Sequence, residues 1–158
     1  MASRIKLGDI VEVKTSIGYA YLQYTHKHPE DGALVRVFKG VYKNKLKDFQ
    51  TLRDKEIQFV TFFPLQRAVN LEIVQVVGNI KVREDLKEFP LFKSMLGHDV
   101  KTNKALSWNL WDGEKIIGKI KPPLTQEQKK LPVSGIINDT LLIERIESGW
   151  TSEKDPRL

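Results

Sequence analysis

The stretch Gly8–Tyr24, G-D-I-V-E-V-K-T-S-I-G-Y-A-Y-L-Q-Y, decides how this chain folds. Val11 and Val13 alternate with Ile10, Glu12 and Lys14, and Ala20, Leu22 and Tyr24 alternate with Tyr19, Tyr21 and Gln23. Successive side chains of a strand point to opposite faces, so a period of two is the pattern of half-buried strands. Thr15 to Gly18 forms the connection, where Gly18 can take the positive φ that tight hairpins often need. These residues predict an opening β-hairpin. Val11, Val13, Ala20 and Leu22 form its core face, and Tyr19 and Tyr21 are the part offered to a partner.

Outward from the hairpin, polar T-H-K-H-P-E-D-G reads as a loop and Ala33–Phe38 as a third strand. Ile57–Phe63 has β-branched and aromatic residues on both faces, as a strand covered on both sides requires, and Pro64 ends it. After L-Q-R-A-V-N, a short turn with helical character, Ile73–Val77 gives another strand closed by Gly78 and Asn79. Val82–Phe89 suggests one or two helical turns, and Gly97–Lys104 is polar and loop-like. In S-W-N-L-W-D-G-E-K-I-I-G-K-I, residues 107 to 120, two β-compatible runs flank the hairpin signal Asp112-Gly113. Thr125 and Gln128 have capping-box spacing ahead of a helix that Pro132 limits to about two turns. Leu142, Ile143, Ile146 and Trp150 recur at helical spacing, predicting an amphipathic helix from about Asn138 to Ser148 with Gly149 as its stop.

Short strands followed by late helices predict an α+β, mostly β fold: a curled antiparallel sheet or small SH3-like barrel with a C-terminal amphipathic helix. A single domain is expected over residues 1–150, with 151–158 as a flexible tail. At 158 residues the chain can hold a core without staples. Absence of cysteine excludes disulfides, thiolate nucleophiles and Cys-ligated zinc, and fits a reducing compartment. The start M-A-S-R-I-K-L-G-D lacks an apolar leader core, and no apolar run approaches the roughly 18–20 residues that cross a bilayer. A cytoplasmic protein without a membrane partner is expected.

The formal charge of +6 favours an acidic partner. Residues 39–55 carry six Lys or Arg against two Asp, and so hold four of those six charges. With Tyr19, Tyr21, Tyr24 and Tyr42 near them, these cations have the composition with which small barrels bind single-stranded RNA or DNA. His26 and His28 would share a face if they lay on a strand, but Pro29, Asp31 and Gly32 place them in a turn, so no metal site is expected. No nucleophile elbow or phosphate loop is present, and Asp9, Glu12, Asp112 and Glu114 read as turn carboxylates. A non-enzyme without a cofactor is the expectation. Of Trp108 and Trp111, one ring is expected in the core, leaving the other as an interface anchor.

G-D-I-V-E-V followed by G-Y-A-Y-L-Q-Y, the late W-D-G-E-K-I-I-G-K-I, the short L-T-Q-E-Q helix and the closing I-E-R-I-E helix resemble the immunity protein 26 family of bacterial polymorphic toxin systems. The resemblance spans nearly the whole chain. It implies a non-enzymatic cytoplasmic protein that binds a cognate toxin and neutralises it by covering its active site or substrate channel. No family site residue is carried over; the local partner-binding candidates are Tyr19, Tyr21, Arg36, Lys45 and Trp108. The basic charge is a departure, since inhibitors of nucleases are often acidic. Either the toxin presents an acidic face or residues 39–55 lie away from the interface. A small basic nucleic-acid-binding protein is the alternative.

Overall fold

In the computed structural model, which describes residues 3–158, the opening hairpin forms as its alternation requires. β1 (Asp9–Thr15) pairs antiparallel with β2 (Gly18–His28), Val11 opposite Leu22 and Val13 opposite Ala20. Along the chain follow β3 (Gly32–Phe38), β4 (Ile57–Phe62), α1 (Leu65–Asn70), β5 (Gln75–Asn79), β6 (Phe92–Asp99), β7 (Lys104–Trp111), β8 (Ile116–Ile120), α2 (Gln126–Lys130) and α3 (Asp139–Ser148). Three 3-10 turns cover Phe49–Asp54, Glu84–Leu86 and Ser152–Lys154. The chain divides into two compact units: residues up to Glu88 with Ile136–Trp150, and Phe89–Gly135 with Thr151–Leu158.

The first unit is a five-stranded antiparallel sheet in the order β4-β3-β2-β1-β5. The fold is therefore α+β and mostly β with antiparallel sheets, and of the two forms expected, curled sheet or small barrel, the closed barrel is not formed. Closure would pair the two edge strands, β4 and β5, with each other; no such pairing is present among the described residues, and the β4 edge is bridged at Phe62 by Ile136 and by the Ile137 N–H, which donates to the Phe62 carbonyl at 3.0 Å. β2 also runs on to His28, because Lys27 and His28 pair with Ala33 and Gly32 across the turn at residues 29–31. His26 and His28 thus lie on a strand and not in the turn expected for them.

One face of this sheet carries Val11, Val13, Ala20, Leu22, Val35, Val37 and Phe59, and α3 contributes Leu142 and Ile146 to the same cluster. Each of the buried Val, Leu and Ile side chains contributes roughly 1.5–3 kcal/mol relative to exposure. α3 starts where the Asn138 side chain accepts from the Leu141 N–H at 2.8 Å and stops at Gly149, whose φ is 66°. Beyond it, Trp150 packs edge-on against Phe59 at 5.7 Å and beneath the Arg145 guanidinium at 3.9 Å.

The second unit is the antiparallel sheet β6-β7-β8. Asp112 holds the β7–β8 turn by accepting from the Glu114 and Lys115 N–H groups, both at 2.9 Å. Residues 97–99 and Lys104, expected in a loop, belong to the β6–β7 hairpin. The α2 capping box forms: Thr125 Oγ1 accepts from the Gln128 N–H and Gln128 Oε1 from the Thr125 N–H. Residues 151–158, expected to be a flexible tail, bury Asp155 as the partner of Arg157, and the Arg157 carbonyl accepts from the Ala105 N–H at 2.9 Å.

At the other end of α2, Lys93 is fully buried. Its ammonium donates to the carbonyls of Lys129, at 2.8 Å, and Leu131, and lies 5.8 Å from the Trp108 ring centre. Burial pulls its pKa down to about 8, with Arg157 lowering it further and Asp155 and Glu153 opposing. Between about pH 8 and 10.5 the unfolded chain therefore holds a proton that the folded chain has lost, and stability rises with pH through that window. We expect denaturant titrations to show a gain on the order of 1–2 kcal/mol once solvent screening is allowed for, absent in Lys93→Met. An unchanged slope in that variant would assign the pH dependence to another group. Among the described residues no helix is long and apolar enough to cross a membrane.

Candidate binding face

The other face of the first sheet carries the polar and aromatic residues of the opening hairpin. Glu12 lies opposite Tyr21 and Lys14 opposite Tyr19, and directly paired residues share a sheet face. The segment after β3 folds back onto this face. Tyr19 and Tyr42 exchange both backbone hydrogen bonds, at 2.7 and 2.8 Å, bringing residues 39–55 alongside β2. Gly18 permits the approach: a Cβ there would sit 2.4 Å from the Tyr42 carbonyl oxygen and 2.9 Å from Val41 Cγ1, at a φ of 143°.

Tyr21 ties the layers together. It is buried, donates its hydroxyl proton to Glu12 Oε1 at 3.0 Å and accepts from the Leu46 N–H at 2.8 Å. Its ring meets Tyr42 and Phe49 at 5.8 and 5.9 Å. Burial pushes its pKa up to about 12; the Leu46 hydrogen bond acts the other way, and the Glu12 hydrogen bond and charge add to the rise. Lys45 reaches in from the edge, its Nζ 3.8 Å from Glu12 Oε2 and 5.6 Å from the Tyr19 ring centre. Tyr21→Phe removes the donor to a buried carboxylate and the acceptor of a backbone N–H together. We expect a loss of about 2 kcal/mol in chemical denaturation, with an unchanged denaturant dependence.

In the segment that carries Leu46, Lys39, Lys43, Lys45, Lys47 and Lys55 are exposed, Lys39 beside Glu56 at 3.4 Å, and Tyr19 and Tyr42 are half-buried. The result is a basic surface with two aromatic rings, fixed from below by Glu12, Tyr21 and Leu46. Among the sequence-derived candidates, Tyr19, Tyr21 and Lys45 come together here, Tyr21 as a buried support. Arg36 lies on the same face opposite Gln23 but is buried; its Nε donates to Thr25 Oγ1 and its Nη2 to the Glu88 carbonyl, both at 3.3 Å. Burial lowers its pKa to about 10, with Asp85 opposing that shift and Arg83 adding to it. Trp108 is in the second unit, wholly buried with Ala105 and Leu124. In this conformation neither Arg36 nor Trp108 presents a surface to a partner. Tyr42 belongs to the face but not to that candidate set; its signal was its place inside the basic stretch.

No family model, curated protein or solved structure matches this chain. His26 and His28 serve structure: His26 Nε2 lies 2.7 Å from the Lys87 carbonyl oxygen, and His28 Nδ1 accepts from the Glu30 and Asp31 N–H groups. Among the described residues no group of three or more His, Cys, Asp or Glu is arranged to hold a metal ion.

Proposed function

We propose that this chain is an immunity-type protein that binds a cognate toxin in the cytoplasm and neutralises it by occlusion, presenting the basic face around Tyr19, Tyr42, Lys43, Lys45 and Lys47 to an acidic surface of the toxin. One observation carries this reading. Exposed Lys45 reaches a platform locked by the Glu12–Tyr21–Leu46 network, and Lys43 and Lys47 flank it in sequence, so association has little order left to impose on this stretch of backbone. Half-buried tyrosines can supply anchoring contacts and the lysines an accelerated encounter. The resemblance quoted above supplies the class of partner. Support for the reading would come from relief of growth arrest when this chain is co-expressed with a toxin-like protein encoded beside it. Persistent arrest with every neighbouring product, or no toxin-like neighbour, would remove the basis for it.

The same face favours a second reading. Tyr19 and Tyr42 among lysines suit base stacking and backbone neutralisation on a single strand. Under that reading a fluorescein-labelled mixed-sequence RNA of about 20 nucleotides binds tightly at low salt and steeply more weakly as salt rises. Absence of binding at low salt would dismiss it.

A further inference from the structure

The second unit offers an edge of different character. β6 is bridged on its outer edge at Lys93, whose N–H donates to the Pro132 carbonyl at 2.8 Å and whose carbonyl accepts from the Ser134 N–H at 2.9 Å. β8 pairs with β7 alone among the described residues. A sheet edge presents a row of backbone N–H and C=O groups that a further strand can pair. Edge strand β5 of the first unit is also open, but its valines are half-buried. β8 instead exposes Ile116 at 60% and Ile117 at 53%. The register shift opposite Leu110 and Trp111 leaves Ile117 as the extra residue of a bulge.

Charge selects the occupant. From Lys115 to Lys121, K-I-I-G-K-I-K, the edge carries three lysines and no acid. All three are exposed, and none makes a salt bridge among the described residues. A second copy is disfavoured, because antiparallel self-pairing about Gly118 sets Lys115 opposite Lys121 at both ends, and like charges directly opposed are destabilising. Asn109 pairs with Lys119 and Trp111 with Ile116, so Lys119 and Ile116 share a sheet face and are separated along the strand instead of across it. An extended segment acidic at one end and apolar at the other meets both demands, with its acids beside Lys119 and Lys121 and its apolar side chains beside Ile116 and Ile117.

We propose that β8 is a docking edge for such an acidic–apolar segment of a partner protein, added as a fourth strand of the β6-β7-β8 sheet. Backbone pairing supplies affinity, and the lysines supply selection. The reading is independent of the basic face of the first unit.

The probe is a fluorescein-labelled peptide about nine residues long, with glutamates in one half and valines in the other between terminal threonines. It is expected to bind the full chain in anisotropy titrations at low salt. Its affinity should fall about tenfold or more in Lys119→Glu/Lys121→Glu and by much less in Lys43→Glu/Lys47→Glu, which reverses the same number of charges in the first unit. A peptide N-methylated at alternate residues, which cannot pair along one edge, should not bind. The proposal is overturned by no binding at low salt, by binding that survives N-methylation, or by equal loss in the two charge variants. Concentration-dependent dimers in sedimentation that Ile117→Asp abolishes would also overturn it, assigning the edge to a second copy.

Discussion

Gly18→Ala is expected to lower stability by about 3 kcal/mol or more and to loosen residues 39–55. The added methyl would lie 2.4 Å from the Tyr42 carbonyl oxygen, a separation that real Cβ contacts do not reach. Its neighbour is backbone, which cannot rotate aside as a side-chain end would, and the φ of 143° penalises any L-residue besides. The only relief is to part Tyr42 from Tyr19, breaking two short backbone hydrogen bonds and withdrawing the basic segment from β2. Denaturant melting reads the stability loss, and hydrogen exchange at the Tyr19 and Tyr42 amides reads its location. A variant as stable as the wild type, with both amides still protected, would show that the two segments approach differently.

The second large effect concerns association. Lys43→Glu/Lys45→Glu/Lys47→Glu changes the formal charge by −2 at each of three positions, taking the chain from +6 to 0. Lys43 and Lys47 are exposed, whereas Lys45→Glu sets a like charge beside the buried Glu12 and should cost stability, so Lys43→Glu/Lys47→Glu, which keeps that pair and its melting behaviour, is measured beside the triple variant. Placing three acids against an acidic partner should weaken binding at least about 100-fold, mostly as slower association and a reduced salt dependence. Stopped-flow association rates at several salt concentrations provide the test. Unchanged rates would move the interface away from this face.

The opening hairpin was legible in sequence because Val11, Val13, Ala20 and Leu22 alternate without interruption, and a one-residue slip would turn all of them to the wrong face. α3 was legible for the matching reason: Leu142 and Ile146 repeat at helical spacing between an Asn cap and a Gly stop. Strand order was not legible. Nothing within Ile73–Asn79 says that it pairs with β1, and nothing within Ile57–Phe63 says that its outer edge meets Ile136 and Ile137 from far along the chain. The β6–β7 hairpin was hidden because Gly97 and Asn103 both take positive φ and the strand ends are exposed, so no alternation marks them.

For the binding face, Tyr19 and Lys45 were readable as types of residue suited to an interface. Their juxtaposition was not, because it depends on a backbone bridge between Tyr19 and Tyr42 that Gly18 alone makes possible. Arg36, Lys93 and Trp108 show the converse limit. An arginine or lysine in a strand pattern looks like a surface charge until a distant carbonyl, here that of Glu88 or Lys129, accepts its protons and lets it be buried.

Calorimetric titration of the purified chain with the toxin-like protein encoded beside it, at about 0.05 M and about 0.5 M salt, tests the central claim most directly. The account predicts saturable binding at one-to-one stoichiometry, markedly weaker at the higher salt and lost in the triple lysine variant. Absence of binding at the lower salt, or binding of equal strength by the wild type and that variant, would contradict it.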